Sequence, residues 1–162
     1  MKKLLVIAGV LAAVASGCDK LDDERIPPAA VRIAFNTVHE WDLYGTPGAL
    51  DFRYFIREEK VPANYPWTSL TYTGFGGILL VGDINGEPRA YDLACPVECK
   101  YNVRVAVDTE SNTARCPVCH SEYDVFTNYG HPLSGQAADE GYGLRVYRVA
   151  PGNQGEYLVV QP

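Results

Sequence analysis

The sequence has no sustained helical period, no apolar run long enough to span a bilayer, no excess of positive charge and only three histidines. Each absence removes a class. Without a 3.6-residue apolar repeat there is no sign of a helical bundle, and the short alternating stretches read as strands. The longest apolar run, Leu4 to Ala15, falls short of the roughly 20 residues that a membrane-spanning helix needs. Lys and Arg total 14 against 20 Asp and Glu, a formal charge of −6. That balance argues against nucleic acid and against electrostatic binding to anionic lipid. No Ser/His/Asp or paired-carboxylate constellation stands at a useful spacing, so an enzyme is the weakest reading. At 162 residues the chain holds at most one ordinary domain.

What is present is concentrated between Cys95 and Asp124. Four of the five cysteines fall here, as Cys95-Pro-Val-Glu-Cys99, sixteen residues, then Cys116-Pro-Val-Cys119-His120. A C-x3-C and a C-x2-C at this separation put four sulfurs on two tight turns able to face each other. Tetrahedral thiolate sites are built this way, and so are disulfide pairs. His120 follows a C-x-x-C turn, where the backbone often needs a left-handed residue. That structural role is preferred to ligation, with His120 kept as an alternative ligand.

The chain begins with a basic Met1-Lys2-Lys3, an apolar run of signal-peptide length and Ala15-Ser16-Gly17-Cys18. This resembles a bacterial lipobox, with Ala15 where leucine is usual. The resemblance implies a lipoprotein signal peptide over 1–17, acylation of Cys18 and attachment to the membrane through that lipid. Loss of Lys2 and Lys3 takes the formal charge from −6 to −8. Cys18-Asp19-Lys20-Leu21-Asp22-Asp23-Glu24 resembles the acidic signal that sends some Gram-negative lipoproteins to the outer cell surface. The expected location is therefore the cell envelope, at the outer membrane. Acids, Pro27 and Pro28, with little apolar content, make 18–30 an acidic tether, and the folded domain is expected over 31–162.

Within the domain, Val31, Ile33 and Phe35 alternate with polar neighbours, and 50–56 alternates likewise. Trp41 to Trp67 otherwise reads as an ordered loop region. Gly74-Phe75-Gly76-Gly77 lacks the Lys-Ser/Thr of a phosphate loop and reads as a turn before a strand. Ile78–Val81 and Arg89–Leu93 flank Asn85-Gly86, a hairpin signal that delivers the chain into Cys95. Val103 to Val107, Thr113 to Arg115, Tyr123 to Thr127, Leu144 to Val149 and Tyr157 to Val160 complete a set of short strands. The fold class is all-β, a small two-sheet sandwich or barrel carrying two metal-binding hairpin loops.

Three stretches resemble the Rieske domain: Tyr91-Asp92-Leu93-Ala94-Cys95-Pro96, then Cys116-Pro117 with Ser121 and Tyr123-Asp124, then Gly130-His131-Pro132-Leu133-Ser134-Gly135. Rieske proteins carry a C-x-H loop, a C-x-x-H-x-S-x-Y/F loop and a proline-containing loop over the cluster. Cys95 and Cys116 match the two cysteines, while Val97 and Cys119 stand where the histidines would be. The resemblance spans about Ile78 to Val149 and implies two sheets with both cysteine loops at one tip. It does not imply the Rieske cluster, which needs two imidazoles on one iron. A second register, with a one-residue gap, follows the respiratory Rieske type and makes Cys99 and Cys119 a disulfide and His120 a ligand.

Export bears on the metal. The leader has no twin arginine, so by resemblance to known export routes the chain crosses unfolded and cannot carry a preassembled cluster. Zinc binds after export and contributes folding energy. The reading is one metal ion, zinc first, on Cys95, Cys99, Cys116 and Cys119, with a [2Fe–2S] cluster or a single iron as the alternative and disulfides as the competing outcome. Lys100, Arg104 and Arg115 are expected to offset the thiolate charge. His131 takes a surface or supporting role, and His39 has no visible partner. Two functions fit: a structural staple in an accessory module, or an electron carrier. The sequence identifies no protein partner.

Overall fold

The computed structural model describes residues 21–161, so the signal peptide and Cys18 lie outside the described residues. The all-β expectation holds. Eleven strands form two sheets, with two short helices and one 3-10 turn. The seven-stranded sheet has the order β2 (Phe52–Phe55), β4 (Ile78–Gly82), β5 (Pro88–Asp92), β10 (Val146–Pro151), β11 (Tyr157–Val160), β1 (Val31–Phe35), β3 (Tyr72–Thr73). The four-stranded sheet runs β6 (Ala106–Asp108), β7 (Thr113–Arg115), β8 (Glu122–Asp124), β9 (His131–Ser134). All ladders within the sheets are antiparallel.

β4 explains the arrangement. Its continuous apolar run is buried at every position. Successive side chains point to opposite faces of a strand, so Leu79 and Val81 enter one core while Ile78 and Leu80 enter another. The second core is aromatic: Phe35, Trp41, Phe55 and Tyr65 meet edge to face at 5.0–6.1 Å, and Trp41 stacks on Tyr157 at 3.9 Å. The first core faces the small sheet and contains Cys95, Cys116, Ala114, Tyr91 and Tyr123.

The β4–β5 hairpin turns at Asp83–Glu87, as Asn85-Gly86 predicts. The Asp83 carboxylate closes it by accepting from the backbone of Asn85 and Glu87 and from Arg89, 2.6 Å away. Beyond β5, Leu93–Cys95 pairs with Val103–Val105 through Cys95 N–H to Val103 O and Val105 N–H to Leu93 O. The expected strand at 103–107 is thus divided: its first half bridges to the segment after β5, and its second half, as β6, opens the small sheet.

Three expectations need correction. Helix α1 (Val38–Tyr44) interrupts what reads as loop; it is too short to show a period and is marked only by Thr37, which caps the Glu40 N–H at 3.1 Å. The proline-containing segment is no loose cover: His131–Ser134 is the edge strand β9, where Pro132 needs no donor, and α2 (Gln136–Glu140) follows it. The tether is docked over its described part. Asp22 exchanges backbone hydrogen bonds with Gly141 and Gly143 at 2.8 and 2.9 Å, Ile26 is fully buried, and its carbonyl accepts from Arg145. The composition of 18–30 is that of a linker, but one isoleucine and one arginine suffice to seat it.

Candidate metal centre

The chain enters the centre under tight control. Asp92, at the end of β5, is fully buried and accepts from the backbone N–H of Phe75, Gly76 and Ala94 at 2.8–2.9 Å and from the Tyr147 hydroxyl at 2.7 Å. Burial pushes its carboxyl up, with these four bonds opposing. The glycines before β4 make this possible: a Cβ on Gly76 would lie 2.6 Å from Ala94 N. Gly74-Phe75-Gly76-Gly77 is therefore a turn, as expected, and it wraps a carboxylate three residues before a cysteine.

The two Cys-Pro-Val segments fold as the same turn. Cys99 N–H donates to Cys95 O at 2.9 Å, and His120 N–H donates to Cys116 O at 3.1 Å. The fifth residue of each is left-handed, with φ of 51° at Cys99 and 59° at His120. His120 thus occupies the backbone position expected of it. The shared hydrogen bond and left-handed residue match Cys95 with Cys116, Glu98 with Cys119, and Cys99 with His120, a correspondence that the cysteine spacing alone hides.

Three sulfurs converge. Those of Cys95, Cys116 and Cys119 lie within 4.8 Å of one another, and Cys95 Sγ is 3.6 Å from Cys119 Sγ. Around a tetrahedral ion with Zn–S of 2.3 Å, thiolate sulfurs stand about 3.8 Å apart, so the donor set fits one ion. All four cysteines of the domain are free thiols. Cys99 stays outside the group. Its Sγ faces Pro96 O at 3.1 Å and the Arg25 guanidinium at 3.8 Å. Its backbone is left-handed, and its sulfur is not among the converging three. His120 is exposed, on a groove wall with Asp108 and Glu110, and it too is outside the group. His131 is exposed on β9, and His39 lies in α1.

Polar contacts surround the sulfurs. The Tyr123 hydroxyl is 3.5 Å from Cys95 Sγ, Ser121 Oγ is 3.3 Å from Cys119 Sγ, and Val118 N–H donates to Cys116 Sγ at 3.4 Å. Ser121 Oγ also accepts from Ala137 N–H, so α2 holds it in place. Burial pushes the Cys95 thiol up to about 12. Cys119 goes the other way: burial raises it, but the Ser121 hydroxyl and N–H and the neighbouring thiols outweigh that and hold it below the ordinary value. Burial, with Cys95 beside it, raises Tyr123. Packed sulfurs in an apolar site resist ionising together; a divalent cation reverses this and deprotonates coordinating thiols outright.

The expected counter-charges are engaged elsewhere. Lys100 meets Glu98 at 3.6 Å, Arg104 bonds Glu59 and Gly76 O, and Arg115 approaches Glu122. The cation that reaches this region is Arg25, which sequence reasoning missed. Its Nε donates to Pro96 O at 2.9 Å, and its guanidinium lies 3.8 Å from the Tyr142 ring centre. Separated from Pro96 by 71 residues, it carries no local signal.

Among the described residues no helix is long and apolar enough to cross a membrane. Comparison with known proteins yields no match to a family model, to a curated protein or to a solved structure.

Proposed function

We propose that this chain is an exported, lipid-anchored Rieske-like domain in which Cys95, Cys116 and Cys119 bind one metal ion, zinc in preference to iron. The ion is structural, and the domain serves as an accessory module of the envelope. The observation that carries this is the convergence of three thiols where the large and small sheets meet. Most strands of the small sheet are three residues long, and so short a sheet gains most from an ion that binds only the folded chain. The Rieske reading rests on the quoted motifs, and the anchor on the leader.

Melting curves test the metal. A strong chelator under reducing conditions should lower the melting temperature. Serine at Cys95, Cys116 or Cys119 should do the same, with strongly non-additive effects because all three break one site. Indifference to chelator with the thiols reduced would overturn the reading. Colourless, zinc-containing protein from the native compartment supports the staple, whereas visible charge-transfer absorption selects iron and electron transfer. For the anchor, intact mass should show acylated Cys18 at the mature N-terminus; an unmodified terminus elsewhere refutes it.

A further inference from the structure

We infer that the fourth ligand of the metal site is the Glu98 carboxylate and not Cys99, an inference that rests on the metal reading above and completes its donor set. Counting cysteines gives four ligands, Cys95, Cys99, Cys116 and Cys119. The backbone gives a different four. Residues 95–99 and 116–120 close with the same hydrogen bond from the fifth N–H to the first C=O, at 2.9 and 3.1 Å, and both fifth residues are left-handed. In the second turn the converging donors are the first and fourth residues, Cys116 and Cys119. The first and fourth residues of the first turn are Cys95 and Glu98.

The fifth position lies outside the donor group in both copies. His120 there is exposed, and Cys99, half-buried, is engaged by Pro96 O and by both the guanidinium and the carbonyl of Arg25. Glu98, like Cys99, lies outside the three converging donors as its side chain stands, but it occupies the turn position that carries Cys119 in the second copy. Its side chain is only 18% exposed, and its one partner is Lys100, at a long 3.6 Å and itself 63% exposed. Little holds the carboxylate there, and ligation requires it to leave Lys100 and change rotamer toward the three sulfurs. Carboxylate oxygen is an ordinary zinc ligand, at about 2.0–2.2 Å. Three thiolates and a carboxylate carry the same formal charge as four thiolates, so charge balance does not favour Cys99.

The test titrates the full mature chain, reduced, with zinc and with cobalt as a spectroscopic stand-in, comparing wild type, Glu98→Gln, Cys99→Ser and Glu98→Cys. Glu98→Gln should weaken zinc binding by about 10-fold or more, while Cys99→Ser leaves affinity unchanged. Wild-type cobalt should show thiolate charge-transfer intensity for three sulfurs, and Glu98→Cys should raise it to four. That gain is independent of any destabilisation in the other variants. A wild-type spectrum already at four sulfurs, or loss of binding in Cys99→Ser with Glu98→Gln intact, overturns this inference and leaves the metal reading standing. A wild-type chain that takes up neither metal overturns both.

Discussion

On one face of the large sheet Phe35, Trp41, Phe55 and Tyr65 pack ring against ring; on the other, Cys95, Cys116 and Ala114 meet beside Tyr91 and Tyr123. Apart from the two-residue β3, the first face has strands of four to six residues and large side chains, so buried area alone can hold it. The second borders strands of three residues and places sulfurs where bulk would otherwise be. The difference teaches where a metal would matter: one core is self-sufficient, and the other holds three thiols that the proposed ion would tie together.

The largest test of that contrast is Phe55→Ala. Phe55 is fully buried among Phe35, Tyr65 and Trp67, and its truncation should cost about 3–5 kcal/mol. Chemical denaturation with and without chelator should show the same loss in both, because the aromatic face does not depend on the ion. A loss that vanishes with the metal removed would mean that the two faces are one cooperative unit held from the sulfur side.

Asp92→Asn probes the seam between the faces and should cost about 2 kcal/mol. The carboxylate joins Tyr147 of the aromatic core to Ala94, one residue before Cys95. An amide must turn its NH2 group toward at least one backbone N–H that now finds no acceptor, leaving that donor unpaired. Both stability and zinc affinity should fall, and an effect on stability alone would show that the turn at Cys95 is positioned without Asp92.

The smallest effect expected is in acid. Asp83, in a turn of the large sheet, and Asp124, at the end of β8 in the small one, both sit below the ordinary carboxylate value of 3.8. Burial raises each, but Asp83 is lowered more by the Asn85 and Glu87 N–H groups and Arg89, and Asp124 by the Thr127 hydroxyl and the N–H groups of Thr127, Asn128 and Phe126. A depressed carboxyl contributes stability that is present above its unfolded pKa and lost as pH falls through its folded one. Unfolding followed from pH 5 down to pH 2 should therefore show stability falling from about pH 4. Asp83→Asn and Asp124→Asn should each flatten that slope, and an unchanged slope in both would place the acid sensitivity elsewhere.

Much of the fold is legible in the chain because strand periodicity and turn residues act locally. Val31–Phe35, the hairpin around Asn85-Gly86 and the turn at 108–112 lie where the sequence puts them. α1 was not legible, since seven residues show no period. The docking of Asp22, Arg25 and Ile26 was not legible either, since their partners at Gly141, Pro96 and Arg145 are remote in sequence.

By itself the sequence determined that this is a β-rich chain with two cysteine turns, because residue types set strand and turn preferences over a few positions. Only the tertiary structure decided which sulfurs meet. Cys95, Cys116 and Cys119 converge while Cys99 does not. Spacing counts residues along the chain, whereas a ligand set depends on where each turn places its side chains, and Cys99, at the left-handed fifth position, meets Pro96 and Arg25 instead of the other three sulfurs.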